Sequence, residues 1–457
     1  MSTGAADHPV PGPRTVSPGT SGGPRGLRRN VVVTVAGNSA PPLAALATAP
    51  ILAHALGVDG RGQVAAGVAP LMLFSALASL GLPEAVTYEV ARHGRVGVTR
   101  RAVALTALAG AAALGLIGWA TPWLSTGDPG LATLIWMASA ALLPALVLGV
   151  VRGHAAGRHR WPLIAGERVL ASAVRAGGIA GLAVGGALTP TSATAVLALA
   201  PLVGGTVYLR LLTTRRAPRV LIGDATDDRS PTRRLLGYGG RVWIGSLAGV
   251  LIMRLDQFLL APLSAVYELG LYAVAVAVSE IPLVVTGAVR DVLFAAESAH
   301  RDDARLARVA RTTGVVTLSA GLMTAALTPV GLPLLFGQDF EGAVGVTLVL
   351  LLGSVVGTAG SIAGAGLAGR GRPGLRSTSL AAAASVNLLL LVALAPVLGA
   401  LGAAWATVAG NVVSSGMNLL FMRSRFGTPI KSYIGIRRGD LAVLLRMGVE
   451  VRKVGRR

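Results

Sequence analysis

Long stretches of this chain contain no Asp, Glu, Lys or Arg: Ala102–Gly127, Ala176–Leu209, Gly314–Gln338 and Ser377–Met422 are examples. One membrane-spanning helix needs about 20 apolar residues, so the last of these is two spans, broken near Pro396-Val397-Leu398-Gly399. Only 13% of the residues are charged and 53% are hydrophobic, against roughly 25% charged in soluble domains. The fold class that follows is an all-α polytopic membrane protein. The chain has no cysteine, which excludes disulfides, thiolate metal sites and a cysteine nucleophile.

Twelve spans are predicted, at about 31–56, 63–88, 101–123, 130–151, 161–186, 191–213, 236–262, 267–293, 313–336, 343–368, 377–397 and 401–422. The loops between them alternate in charge. Those after the even spans are rich in arginine: Arg92, Arg95, Arg100 and Arg101, then Arg152, Arg158 and Arg160, and so on to Arg370, Arg372 and Arg376. Those after the odd spans, such as "STGDPG" and "GQDFEG", are short and nearly free of it, with Arg61 the one interruption. Arginine retained on alternate sides is the positive-inside pattern, and it places both termini in the cytoplasm of a multi-pass cell-membrane protein. The net charge of +21 is therefore topological, and no nucleic-acid partner is expected. Residues 1–30 are predicted to be a disordered basic tail. Residues 423–457 are predicted to be a basic amphipathic tail that either lies on the anionic inner leaflet or frays.

The longest basic loop, 214–235, divides the chain into a six-helix lobe at 31–213 and another at 236–422. Each lobe opens on a related phrase, "LGVDGRGQVAAGVAP" (56–70) and "SAVYELGLYAVAVAVSEIP" (264–282), with Gly62 aligned on Gly270. Six spans per lobe, starting on the same side, make a 6+6 parallel repeat with a substrate site expected between the lobes near the midplane.

Span 5 carries Arg168 and Arg175 seven residues apart, on one helix face about 10 Å apart along the axis, with Ser172 between them. Isolated arginines at that depth must face a cavity or a partner. A guanidinium fork suits phosphate oxygens and keeps its charge, so these residues are candidate anion ligands; the competing reading is that Glu167 or Glu280 neutralises them. Span 7 holds Arg241, Arg254 and Asp256, which at 100° per residue cannot all point into one groove. Arg241 lies in the cytoplasmic third, placed to catch a headgroup. Asp256 and Arg254 lie in the outer third, as a gate pair, an ion site or simple charge partners. Glu280, near the middle of span 8 before Pro282, is the candidate for ion coupling or for a structural pair with an arginine. Pro41 and Pro42 predict a bend in span 1.

The phrases at 56–92, "RLDQFLLAPL" (254–263), "ELGLYAVAVAVSEIP" (268–282) and "LPLLFGQDFEGAV" (332–344) resemble the polysaccharide (O-antigen-type) flippases of the multidrug/oligosaccharidyl-lipid/polysaccharide exporter superfamily. That resemblance implies two lobes around a cationic cavity and transfer of undecaprenyl-diphosphate-linked oligosaccharide from the inner to the outer leaflet. It further implies a lipid-linked glycan as partner within the bilayer, with glycosyltransferases or a polymerase of the same pathway alongside. Asp256 stands where such flippases often carry an acid. On this reading Arg168, Arg175, Arg241 and Ser172 hold the diphosphate, while Glu280, Asp256 and Arg254 couple or gate.

No metal-ligand spacing, P-loop or Ser/His/Asp constellation is present, and the short outer loops leave no room for a glycan-processing domain. Neither an enzyme, a cofactor nor a metal is expected. The alternatives are a cation-coupled multidrug exporter of the same superfamily, a lipid-linked peptidoglycan precursor flippase, and a major-facilitator carrier, which "ARHGR" (91–95) echoes only faintly. A cavity dominated by arginine favours an anionic lipid-linked sugar, and one dominated by carboxylates a cationic drug.

Overall fold

The computed structural model describes residues 24–93, 97–209, 230–283, 286, 287, 289, 302–435, 437 and 440. Its elements are helices α1 (Pro24–Ala78), α2 (Leu82–His93), α3 (Val98–Leu124), α4 (Pro129–Ser139), α5 (Leu142–Gly157), α6 (Trp161–Val184) and α7 (Pro190–Gly205) in the first half. The second half contributes α8 (Pro231–Leu263), α9 (Val266–Ser279), α10 (Asp303–Phe336), α11 (Ala343–Gly369) and α12 (Pro373–Phe426). The described residues form no strand.

Eight of these stretches are long and apolar enough to cross a membrane. Two of them, α1 and α12, each hold two crossings, divided where Gly57 (φ 66°) and Gly399 (φ 57°) leave helical geometry. The other two crossings are α6, which carries Glu167, Arg168 and Arg175, and the span begun by α9. The twelve predicted spans are thus accounted for. Helix starts come from the turn residues of the loops. Asp128 accepts from the Gly130 amide at 2.8 Å ahead of Pro129, Thr189 and Ser192 form a capping box around Pro190, and Asp302 accepts from the Arg305 amide at 2.8 Å. A side-chain acceptor at the cap and proline in the first turn satisfy or remove amides that have no partner inside the helix.

Pro41 and Pro42 lie inside α1, whose departure from helical dihedrals comes at Gly57. One local expectation changes. Helix α1 begins at Pro24, so the end of the stretch expected to be a disordered tail is helical; residues 1–23 and the linker positions 210–229 lie outside the described residues.

At Gly399 the chain reverses from span 11 to span 12. The Glu268 carboxylate from α9 sits against this glycine and accepts from the Ala400 amide at 2.7 Å, an anion at the first turn of span 12, where the helix dipole favours it. A Cβ at position 399 would overlap that carboxylate, and the φ/ψ pair (57°, −133°) is nearly confined to glycine. Gly399→Ala is expected to cost about 1–3 kcal/mol and to lower the thermal unfolding midpoint in detergent. An unchanged midpoint would show that this reversal does not need glycine.

The lobes meet at both ends of the bundle. At the arginine-poor end, a Cβ on Gly62 would overlap the Val266 carbonyl oxygen, and one on Gly270 would overlap that of Val58. The alignment that sets Gly62 on Gly270 also sets Val58 on Val266, so one contact is made twice around a pseudo-twofold axis. At the arginine-rich end the backbone of Leu80-Gly81 packs on Gly239, the Tyr88 and Tyr238 rings stack at 4.4 Å, and Trp243 Nε1 donates to the Ala76 carbonyl at 3.1 Å.

Beyond span 12 the chain turns back at Gly427 (φ 68°) and buries Tyr433 among Leu306, Ile362, Leu367 and Met422. Arg311 then grips Asp440 through Nε at 2.6 Å and Nη2 at 2.9 Å, with Nη1 on the Ser432 carbonyl at 2.6 Å. The first part of the predicted tail is therefore a docked strap, while residues 441–457 lie outside the described residues.

Candidate functional site

A cavity of about 420 Å³ lies between the two lobe contacts and is lined by spans 1, 2 and 4–8. Much of its wall is alanine, valine and proline. Its charged lining consists of Arg61, Arg152, Arg168, Arg175 and Arg254 against Glu167 and Glu280.

One of the two carboxylates is already engaged. Glu167 is buried, accepts from Arg152 Nε at 2.9 Å and from the Tyr208 hydroxyl at 2.7 Å, and so ties α5, α6 and the end of span 6 together. It is therefore the partner of Arg152, and the two span 5 arginines turn elsewhere. Arg168 donates to Asn38 Oδ1, and Arg175 Nε donates to Thr48 Oγ1 at 3.3 Å. Both acceptors are neutral groups on span 1. The helical spacing of seven does put Arg168 and Arg175 on one face, as expected, and that face borders the cavity. Ser172 also lines it, but its hydroxyl donates back to the Arg168 carbonyl at 2.7 Å.

The residues of span 7 separate. Arg254 turns into the cavity and donates to Gln257 Oε1 at 3.3 Å. Asp256 points the other way, into the second lobe. It is buried, accepts from Tyr272 and, at 2.7 Å, from the Gln257 amide, and lies 3.4 Å from Thr407 Oγ1, which in turn accepts from Asn387 at 3.3 Å. Arg241 stands apart from the other candidates: it is exposed, bonds to its own helix at the Gly237 carbonyl (2.9 Å), and does not line the cavity. Glu280 lines the cavity and has no ion-pair or hydrogen-bond partner through its side chain among the described residues.

Arg61 was not a candidate, because a charge that ends an apolar run looks like part of a loop. The break falls earlier, at Gly57, so Arg61 is already inside the helix of span 2, where its Nε is buried without a partner. Its position as the lone arginine on the arginine-poor side was the signal available.

The protein family described as polysaccharide biosynthesis protein matches residues 27–294, more than half of the chain. The chain belongs to this family. No curated protein matches it. Among solved structures, the polysaccharide biosynthesis chain is similar to an inward-facing multidrug resistance MATE family transporter of the MOP superfamily, with 17% identity, TM-score 0.62, 88% of this chain and 98% of that one covered. It is similar also to a MOP superfamily transporter from Pyrococcus furiosus described as having a binding pocket of reverse polarity, with 17% identity, TM-score 0.60 and coverage of 90% and 96%. A MATE structure in the straight conformation aligns at 18% identity and TM-score 0.60, covering 89% and 96%. At these identities the likeness establishes the fold, and this member of the family is a multi-pass membrane protein with the two-lobed architecture of those transporters.

Proposed function

We propose that this protein is a flippase that moves an undecaprenyl-diphosphate-linked oligosaccharide, a precursor of cell-surface polysaccharide, from the inner to the outer leaflet of the cell membrane by rocking its two lobes. The observation that carries this reading is the cavity's charge. Once Glu167 is committed to Arg152 and Tyr208, Arg61, Arg168, Arg175 and Arg254 face a single free carboxylate, Glu280. A wall of that sign attracts a diphosphate and repels a cationic drug. Membership of a polysaccharide biosynthesis family supports a glycan cargo, and the arginine-rich loops support a cytoplasmic position for that end of the bundle and for both termini.

In this mechanism the diphosphate enters beside Arg168, where span 5 opens toward the arginine-rich face, and moves along the same helix stripe to Arg175. Arg241, at that face but outside the cavity, is placed to attract the headgroup before it enters. The sugar passes along the alanine-lined cavity while the lipid tail stays in the bilayer. Glu280 on the cavity wall and Asp256, buried beside Tyr272 and Thr407 in the second lobe without an arginine hydrogen-bond partner, are the candidates for coupling to a cation or proton. Glycosyltransferases or a polymerase of the same pathway would supply and consume the cargo.

The test is reconstitution into liposomes with a fluorescent undecaprenyl-diphosphate sugar, scoring its exposure on each leaflet. Arg175→Ala removes a charged donor worth about 1.5–3 kcal/mol, and transfer is expected to slow by roughly 10- to 150-fold while the protein stays folded. Transfer at the wild-type rate would make Arg175 a scaffold residue. Absence of transfer by the wild type would overturn the cargo assignment.

A further inference from the structure

The strap after span 12 is held at a depth and on a side that place it among lipid headgroups. Its anchor, Arg311, lies three residues before Gly314, where the charge-free run of span 9 begins. At 1.5 Å per residue it is about 5 Å outside that run, and the headgroup layer of a bilayer is about 5–8 Å thick on each side. At 100° per residue, Leu318 and Leu322 fall within about 20° of Arg311 around the helix, and both are exposed. The face of α10 that holds the strap is thus continuous with a face that meets lipid tails deeper in the membrane. Within the strap the side chains divide. Tyr433 is buried, whereas its neighbour Ile434 is 58% exposed. Lys431 and Arg437, on either side, are exposed, and their side chains have no ion-pair or hydrogen-bond partner among the described residues. Asp440 does not neutralise them: its carboxylate accepts from Arg311 Nε and Nη2 and, at 3.0 Å, from the Arg437 amide.

We propose that Lys431, Ile434 and Arg437 form a docking site for an anionic phospholipid in the leaflet at the arginine-rich end. Ile434 enters the acyl boundary, and the two cations meet phosphodiester groups at the level above it. The site lies outside the cavity and does not depend on the cargo. Of the two fates read from the sequence for this tail, lying on the leaflet or fraying, the docked strap takes the first. Its Tyr433 packs on Leu306 of span 9, Leu367 of span 10 and Met422 of span 12. A lipid bound to the strap therefore fixes the depth of the second lobe, and the first lobe rocks against an anchored partner.

The absence of cysteine lets Ile434→Cys carry a single apolar bimane fluorophore on the full chain. In nanodiscs containing phosphatidylglycerol, a nitroxide on the lipid headgroup is expected to quench it roughly threefold or more beyond a water-soluble nitroxide. Stronger quenching from the water side overturns the placement of the strap. In detergent micelles the same fluorescence is titrated separately with dioctanoyl phosphatidylglycerol, dioctanoyl phosphatidylcholine and inorganic phosphate. Expected is a saturable response to phosphatidylglycerol alone, weakened roughly 30-fold when Lys431→Gln and Arg437→Gln are combined, each cation contributing about fivefold. Circular dichroism checks that the combined variant stays folded, as substitutions of exposed side chains should leave it. An equal response to phosphatidylcholine reduces the contact to apolar insertion and overturns headgroup recognition. An equal response to inorganic phosphate makes this a site for free anions and overturns the lipid assignment. Unchanged affinity in the combined variant overturns the role of the two cations.

Discussion

Gly62→Leu is expected to slow flipping by roughly 5- to 150-fold without unfolding the protein, and Gly270→Leu to do the same. Any side chain at Gly62 meets the Val266 backbone oxygen, and at Gly270 the Val58 backbone oxygen. A backbone atom cannot rotate aside as the tip of a side chain can, so the lobes must separate locally. Overpacking of this kind costs about 1–3 kcal/mol, and here the cost falls on the closed arrangement of the lobes, because the nearest atoms at each glycine belong to the other lobe. A loss of 1–3 kcal/mol in the populated closed state converts to that range of rates. The liposome assay reports the rate, and circular dichroism with thermal unfolding reports the fold. Wild-type transfer by both variants would show that the tight glycine contact is dispensable for the cycle.

The second large effect is on stability. Arg311 and Asp440 are 6% and 1% exposed, and Arg311 spends its donors on Asp440 and the Ser432 carbonyl. Removing one member of a buried pair strands the other, at a cost of about 3–5 kcal/mol. Asp440→Asn is therefore expected to release the strap and expose the apolar cluster beneath Tyr433, lowering the unfolding midpoint. Hydrogen bonding to Arg311 is the main reason the Asp440 carboxyl is held below its ordinary pKa, which is about 3.9 in an unfolded chain. A depressed folded pKa gives stability that is fully present above the unfolded value and is lost as pH falls through the folded one. The wild type should thus lose stability on acidification below about pH 4, and Asp440→Asn should lose less over the same interval. Parallel acid profiles for the two proteins would remove Asp440 from this role.

The charged residues show where sequence reasoning stops. Arg168 and Arg175 were correctly placed on one stripe, because a helix fixes azimuth from spacing alone. That the stripe faces Asn38 and Thr48, and that Glu167 belongs to Arg152 and Tyr208, depends on which helices are neighbours, and those partners lie on other spans. The incompatibility of Arg241, Arg254 and Asp256 with a single groove was legible; the direction each takes was not. Arg61 was hidden by its position beside an apparent loop.

The sequence by itself determined the membrane-spanning class, the number of crossings, the break near Pro396–Gly399 and the phrase that aligns Gly62 with Gly270. Each of these depends on local hydropathy, local charge or a repeated phrase, and the cost of burying charge or bare backbone in lipid enforces them span by span. Only the tertiary structure decided which guanidiniums share a cavity, that Asp256 turns into the second lobe, and that the segment after span 12 is strapped down by Arg311. Those outcomes follow from contacts between segments far apart in the chain, where the direction of a side chain is set by the helix that packs against it.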